Sequence, residues 1–328
     1  MPATIAVTGA SGHIGNVVCR QLLEKGYRVR AMYHADRSSL EGLPLEMVQG
    51  DILNPDDVAG LLEGCTVVIH SAAIITIDGD PDGWVWRTNT EGTRNVLHAA
   101  IERRVKRVIH LSSVHAVTEL PHSMPYDELR PYKTKADSVY DFSKATGEQI
   151  MLEGMKNASL EVVIVRPSAV MGPYDFKPSK MGAALMDFYH QKIPVLPEGG
   201  YDFVDVRDVA NAIIVALEQG KSGEAYVLSG KYVNFTQLAE VIEHVTGKKM
   251  PRRLISQRWM KILLPFVSLY ARVTRTAPSF TKESMDVIKN GHPRMDHTKA
   301  KRELGYATRP LEESIRDFYN WVKENGKT

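Results

Sequence analysis

Tyr140 and Lys144 stand four residues apart in the run Tyr140-Asp141-Phe142-Ser143-Lys144, inside a stretch, 138–155, whose pattern predicts a helix. At that spacing both side chains share one helix face, with Cβ atoms about 5–6 Å apart. A phenol titrates at about 10 in water, and an ammonium beside it favours the phenolate, which brings the tyrosine toward the range useful for moving protons. The spacing is equally that of a surface Tyr/Lys pair, so the context decides. Upstream, Arg107-Val108-Ile109-His110-Leu111-Ser112-Ser113 reads as a strand ending in two serines. A hydroxyl at such an edge can hold a carbonyl or alcohol oxygen while the tyrosine exchanges its proton.

The third group is Thr8-Gly9-Ala10-Ser11-Gly12-His13-Ile14-Gly15, which follows the apolar run Ile5-Ala6-Val7 and opens an amphipathic stretch reaching Gly26. Strand, glycine turn and helix in that order put unpaired backbone N–H groups and a helix dipole where a pyrophosphate could sit. Gly9 allows the tight turn, Gly12 the close approach of backbone to phosphate, and Gly15 the packing of helix on strand. Serine, tyrosine, lysine and a dinucleotide together make one reaction, in which hydride moves between a nicotinamide and carbon while the tyrosine moves the proton.

Residues 29–33 and 46–51 read as the second and third strands, and 56–62 as a short helix entered through Asn54-Pro55. Residues 66–70 form a fourth strand, 84–103 a helix, 105–111 a fifth strand, and 160–165 a strand running into Arg166-Pro167. Alternation of this kind predicts an α/β fold with a doubly wound parallel (Rossmann) sheet, right-handed crossovers and ligands at the carboxyl ends of the strands. Beyond Gly172 proline and glycine thicken, so residues 1–172 are expected to form the dinucleotide-binding domain, with 203–230 returning to it. Residues 173–328 are expected to be mainly a smaller, interleaved substrate-capping region.

The chain has 328 residues, and its 41 basic and 39 acidic residues nearly cancel, so no global field calls for nucleic acid or an anionic membrane. Two cysteines, Cys19 and Cys65, fall inside predicted core elements, which suits a reducing compartment. With no signal-like start in Met1-Pro2-Ala3-Thr4, a cytoplasmic location is expected. The apolar run at 262–267 is too short to span a bilayer and reads as a surface helix or lid, with 254–273 open to a peripheral-membrane role. No metal site is read from the sequence.

At this point the chain resembles the extended short-chain dehydrogenases/reductases. The resemblance rests on the glycine turn, Asp51-Ile52, His70-Ser71-Ala72-Ala73, Asn89-Thr90-Glu91-Gly92-Thr93-Arg94-Asn95-Val96, Leu111-Ser112-Ser113, Tyr140 to Lys144 and Arg166-Pro167-Ser168-Ala169-Val170-Met171-Gly172-Pro173. Phe203-Val204-Asp205-Val206-Arg207-Asp208-Val209-Ala210 and Lys301-Arg302-Glu303-Leu304-Gly305-Tyr306 resemble its later landmarks. The resemblance implies that Tyr140 is the general acid/base, that Lys144 holds the ribose hydroxyls and tunes Tyr140, and that Ser113 rather than Ser112 orients the substrate oxygen. It implies that Asn89 supports a proton-relay water. Gly9, Ser11, Gly12, His13, Ile14 and Gly15 would form the pyrophosphate turn. Asp51 and Ile52 would flank the adenine, Ala72 and Ala73 would line the cofactor groove, and Pro167 and Ser168 would border the nicotinamide. Relatives pair as homodimers through the two long helices, here 84–103 and 138–155.

Members of this family that use NAD place an acidic residue at the end of the second strand, where this sequence has Tyr33. His34 and Arg37 follow and could hold a 2′-phosphate, which favours NADP, while Asp36 could turn toward the ribose and keeps NAD open. Two positions that hold a sugar-nucleotide diphosphate in relatives carry Ala169-Val170 and Tyr201 here. In their place stand Met171, Tyr174, Phe176, Met181, Leu185, Phe188, Tyr189, Tyr201 and Phe203, of which part is expected to be core and part a pocket. The chain is similar in these segments to dihydroflavonol 4-reductases and 3β-hydroxysteroid dehydrogenases. The expectation is therefore an oxidoreductase acting on a small hydrophobic carbonyl or alcohol. A sugar-nucleotide epimerase or dehydratase with retained NAD, and a non-catalytic nucleotide sensor, are the alternatives.

Overall fold

In the computed structural model, which describes residues 4–76, 79–156, 158–262, 264 and 282–326, strand and helix alternate from the start. The chain runs β1 (Thr4–Thr8), α1 (His13–Glu24), β2 (Arg28–Tyr33), β3 (Glu46–Gln49), α2 (Pro55–Leu62) and β4 (Val67–His70). It continues through α3 (Trp84–Arg87), a π-helical turn at Thr88–Gly92, α4 (Thr93–Glu102), β5 (Arg107–Leu111), α5 (Val139–Met155) and β6 (Glu161–Pro167). After β6 come β7 (Ala169–Met171), α6 (Lys180–Tyr189), β8 (Leu196–Pro197), β9 (Gly200–Asp205), α7 (Val206–Gln219), β10 (Ala225–Leu228), β11 (Lys231–Asn234) and α8 (Phe235–Thr246).

Among the described residues the main sheet has the order β10-β6-β5-β4-β1-β2-β3, every pair parallel. A parallel sheet must bury both faces, and the near-continuous apolar strands read in the sequence do so. Val18, Leu22, Val209 and Ile213 from α1 and α7 pack on one face. Leu61, Val96, Ala100 and Met151 from α2, α4 and α5 pack on the other. The order reverses between β1 and β4, and the crevice at their carboxyl ends is where this topology binds ligands. Cys19 and Cys65 are free, buried and in different core layers.

A second sheet, β11-β9-β7, and a core around Phe188, Phe203, Leu238, Ile315 and Phe318 make the smaller region. It begins at Ala169, ahead of the expected break at Gly172, and includes β9, whose last residues fall in the stretch 203–230 expected to return to the large sheet. The chain leaves the main sheet after Pro167, because Ala169–Met171 pairs with Phe203, Val204 and Asp205, and it returns through α7 and β10. Met171, Leu185, Phe188 and Phe203 are core of this region, with Tyr174, Phe176, Met181 and Tyr189 packed against them. The predicted helix 84–103 is likewise interrupted by its π turn. Most of the 262–267 run lies outside the described residues; among those described, no helix is long and apolar enough to cross a membrane.

Helix α5 is seated by one buried ion pair. Arg166 on β6 donates from Nε and Nη2 to the two oxygens of Glu148, at 3.0 and 2.7 Å, with both side chains almost wholly out of solvent. Removing one partner of such a pair leaves the other charged and buried. Glu148→Gln is expected to lower stability to urea by about 3–5 kcal/mol. Glu153→Gln, which breaks the exposed pair with Lys156, should change it by no more than about 1 kcal/mol. Equal effects of the two substitutions would show that the buried pair does not seat the helix.

Candidate active site

Gly9, directly after β1, has φ +66°, and a Cβ there would lie 2.6 Å from the Ala72 nitrogen beyond β4. Only glycine lets the two strand ends close in this way. A Cβ at Gly15 would lie 2.2 Å from the Gly9 oxygen, so the helix packs directly on the turn. Gly12 caps α1 through its backbone alone, with no capping side chain and no acidic residue in the first turn among the described residues. The first-turn N–H groups therefore face an anion site with nothing of their own charge to compete, and the residues present fit a dinucleotide pyrophosphate. Ser11 and Ile14 lie in this turn, and the Ser11 carbonyl accepts from Ser39 Oγ at 3.1 Å. The His13 side chain turns away from the turn: Nε2 bonds the Pro173 carbonyl at 2.9 Å, so the ring ties the turn to the smaller region.

Ala72 and Ala73 follow β4, held by Ser71 Oγ donating to Thr8 O at 2.6 Å and Ala72 N to Thr8 Oγ1 at 3.3 Å. Asp51 Oδ1 caps the Leu53 nitrogen, and Ile52 packs over Gly92 at the adenine end. His34 Nε2 lies 3.7 Å from Asp51, and Arg37 Nε 3.5 Å from Glu41, both side chains well exposed beyond the end of β2. Asp36 Oδ1 accepts from the Ser38 nitrogen at 2.9 Å. At the far end of the crevice Ser168 N donates to Leu228 O, which sets Pro167 and Ser168 at the carboxyl edge of β6.

Tyr140, Lys144 and Ser113 converge at the end of β5, all buried. Ser138 caps α5 by accepting from the Asp141 nitrogen, so the helix starts just ahead of Tyr140. Lys144 Nζ donates to Leu111 O at 2.7 Å, while Ser113 Oγ accepts from the His115 nitrogen and lies within reach of the Tyr140 phenol. Burial pushes the Tyr140 phenol up to about 12, against the Ser113 contact that favours its ionised form. The sequence-based expectation of a phenolate favoured by Lys144 is not met, because desolvation of the phenol dominates. Burial also pushes Lys144 down to about 8, with Glu148 working the other way. An ammonium with three donors and, among the described residues, one carbonyl acceptor suits the ribose hydroxyls expected there.

Asn89 lies in the π turn, beside α5. Its Oδ1 accepts from Ile74 N at 2.8 Å, and Nδ2 donates to Ile74 O at 3.0 Å and Ser143 Oγ at 2.9 Å. The Ser143 hydroxyl in turn donates to Tyr140 O at 2.7 Å. The side chain is fully engaged in tying the segment after β4 to the helix that carries Tyr140, which makes Asn89 a positioning residue. The π turn around it leaves its carbonyl to the Thr93 hydroxyl, at 2.7 Å.

A group that the sequence reasoning passed over lies beside this trio. His115 Nε2 meets Tyr201 Oη at 2.5 Å, and Nδ1 lies 3.6 Å from Glu119 and 3.5 Å from Asp141. Lys133 Nζ reaches Glu119 at 2.6 Å and Asp141 at 3.7 Å. Ligand atoms of His115, Glu119 and Asp141 fall within 4.8 Å of one another, a spacing that could hold a metal ion, but Lys133 already supplies a cation there. The one local signal was a histidine two residues past Ser113 with glutamate four further on. Deeper in the sheet His70 and His110 stack at 5.3 Å, both held neutral by burial first and by Lys144 second.

Residues 5–229 match the NAD dependent epimerase/dehydratase family. The chain is 34% identical to "Sterol demethylase protein B" of Methylococcus capsulatus, over 98% of this chain and 99% of that one. It is 29% identical to "Putative dihydroflavonol 4-reductase" of Synechocystis sp., over 98% and 94%. The crystal structure of gox2253 superposes with a TM-score of 0.86 at 33% identity, covering 100% of both chains.

The depressed Lys144 fixes a pH dependence. The ammonium is present below about 8 and lost above it, so dinucleotide affinity is expected to fall, by at most about tenfold per pH unit, as pH rises through that value. Lys144→Arg, whose guanidinium keeps its proton, should flatten this limb in a fluorescence titration. An identical alkaline limb in the variant would assign the loss to another group.

Proposed function

The chain belongs to the NAD-dependent epimerase/dehydratase family of extended short-chain dehydrogenases/reductases, and on that premise we propose that it reduces a hydrophobic ketone to a secondary alcohol, or runs the reverse, with NADP. The observation that carries this reading is the convergence of Ser113, Tyr140 and Lys144 at the carboxyl end of β5, with Tyr140 held as the neutral phenol. When bound, a reduced nicotinamide supplies the hydride. Ser113 Oγ would hold the carbonyl oxygen, and Tyr140 would give that oxygen its proton as the C=O double bond becomes the C–O–H of the alcohol. Lys144 would stabilise the phenolate left behind.

NADP is favoured because Tyr33 ends β2 where a carboxylate would repel a phosphate, while the exposed Arg37 guanidinium and the His34 ring lie beside it. Asp36 is engaged with the Ser38 nitrogen, which weighs against its turning to a ribose. The substrate side lacks an evident diphosphate anchor among the described residues. Tyr201 faces His115, and Arg207 just past β9 is held by Asp205 and Asp317 at 2.9 and 2.6 Å. Losing a charge-assisted contact to a diphosphate would forfeit about 1.5–3 kcal/mol, which apolar contacts replace poorly. Similarity to proteins named for a sterol and for dihydroflavonol fits an alicyclic or aryl ketone.

Loss of NADPH absorbance against a panel of flavonoid, steroid and small aryl ketones tests this. Tyr140→Phe is expected to lower kcat by at least about 10²–10⁴-fold with NADPH affinity retained, and Arg37→Ala to weaken NADPH more than NADH. Full activity in Tyr140→Phe would overturn the site. Equal weakening of both nucleotides would overturn the phosphate assignment. No consumption by a protein that retains its nucleotide would move the reading to an epimerase, with sugar nucleotides as the next panel.

A further inference from the structure

The carboxylates closing on His115 outnumber the ammonium that reaches them. Glu119 and Asp141 are both nearly enclosed, and Lys133 serves them together, its remaining contact being Asp137 at 3.4 Å toward the rim. One enclosed negative charge is left, and the imidazole of His115 is the group placed to balance it. The groups facing His115 are Glu119 and Lys133 from the segments after β5, Asp141 and Tyr140 from α5, and Tyr201 from β9. Burial works against the imidazolium, but Glu119 and Asp141 outweigh it and raise the ring's affinity for its second proton.

An imidazolium has two N–H donors and no acceptor. With Nδ1–H turned to the carboxylates, Nε2–H must donate to Tyr201 Oη, and the phenol's own proton points elsewhere. A neutral ring with its proton on Nδ1 would instead accept the phenol's proton, leaving Tyr201 as an acceptor. The charge on His115 therefore decides which role Tyr201 plays. Tyr201 is also well placed. In the β7–β9 register Ala169 faces Phe203, two residues beyond Tyr201 on β9. The His115 ring lies 6.0 Å from the rings of both Tyr140 and Tyr201.

We propose that Tyr201, oriented by the His115 imidazolium, is a second hydrogen-bond donor in the substrate site, and that the substrate is a ketone carrying a further oxygen acceptor beyond the carbonyl that is reduced. This rests on the ketone-reductase reading and narrows its substrate class. His115 is a positioning residue in this scheme, because it acts through Tyr201.

The test compares kcat/KM with NADPH for 2,2-dimethylcyclohexane-1,3-dione and 2,2-dimethylcyclohexanone, from about pH 6 to 10, in the natural protein, Tyr201→Phe and His115→Gln. Nitrogen NMR of histidine-labelled protein reports the charge on His115 independently of turnover. The expected result is a doubly protonated His115 ring at neutral pH and a preference for the dione that declines as the ring loses its proton. In Tyr201→Phe that preference should fall about tenfold and lose its pH dependence. A merely structural role would lower both substrates in proportion, and an unchanged ratio overturns the proposal. A neutral ring at neutral pH also overturns it. Failure of the natural protein to oxidise NADPH with either ketone overturns the reductase reading instead, and the NMR result stands apart from that failure.

Discussion

Glu148 is the constraint on which the site depends. Its carboxylate is fully buried on α5, one turn beyond Lys144, and both oxygens are taken by Arg166. Because Arg166 belongs to β6, the pair fixes the angle at which α5 crosses the sheet, and that angle aims Tyr140 and Lys144 at the end of β5. The same carboxylate opposes the effect of burial on the Lys144 ammonium. A single buried charge thus holds the helix that carries the chemistry and helps to keep one of its groups ionised. The Asn89–Ser143–Tyr140 chain of hydrogen bonds adds a second fixing point nearer the helix start.

Burial drives Tyr140 and Lys144 apart in titration, the phenol up and the ammonium down, for the same reason: each loses solvation of its charged form. The resting site therefore holds a neutral acid beside a cation through neutral pH. A phenolate formed there is expensive unless fixed donors meet it, and Ser113 Oγ and Lys144 Nζ are the groups at hand. Burial makes the acid form of Tyr140 the stable one, which is the form that the proposed reduction requires.

Much of this was readable from the residues because it is local. The strand-turn-helix around Gly9, Gly12 and Gly15 and the four-residue spacing of Tyr140 and Lys144 follow from periodicity and steric need within a few residues. The alternation of strand and helix is enough to imply the parallel sheet. What was not readable is long-range. The π turn at Thr88–Gly92 has no sequence mark of its own, and Asn89 takes its role from Ile74 and Ser143 rather than from its neighbours. The rise in Tyr140's affinity for its proton requires knowing how deeply it is buried, which spacing does not report. The contact of the His13 side chain with Pro173 crosses 160 positions and leaves no local mark either.

The same two crossings, His13 to Pro173 and His115 to Tyr201, share a physical logic. Each starts at the carboxyl edge of the large sheet and ends on the smaller region, and each is a polar bond at the seam between the two cores. Core packing alone tolerates small sliding of one layer on another, because dispersion contacts are non-directional. A buried hydrogen bond does not, since misalignment leaves polar groups without partners. Placing one such bond at the glycine turn and one beside Tyr140 registers the smaller region at two points along the crevice. The wall opposite the proposed site is thereby set by the same segments that build it.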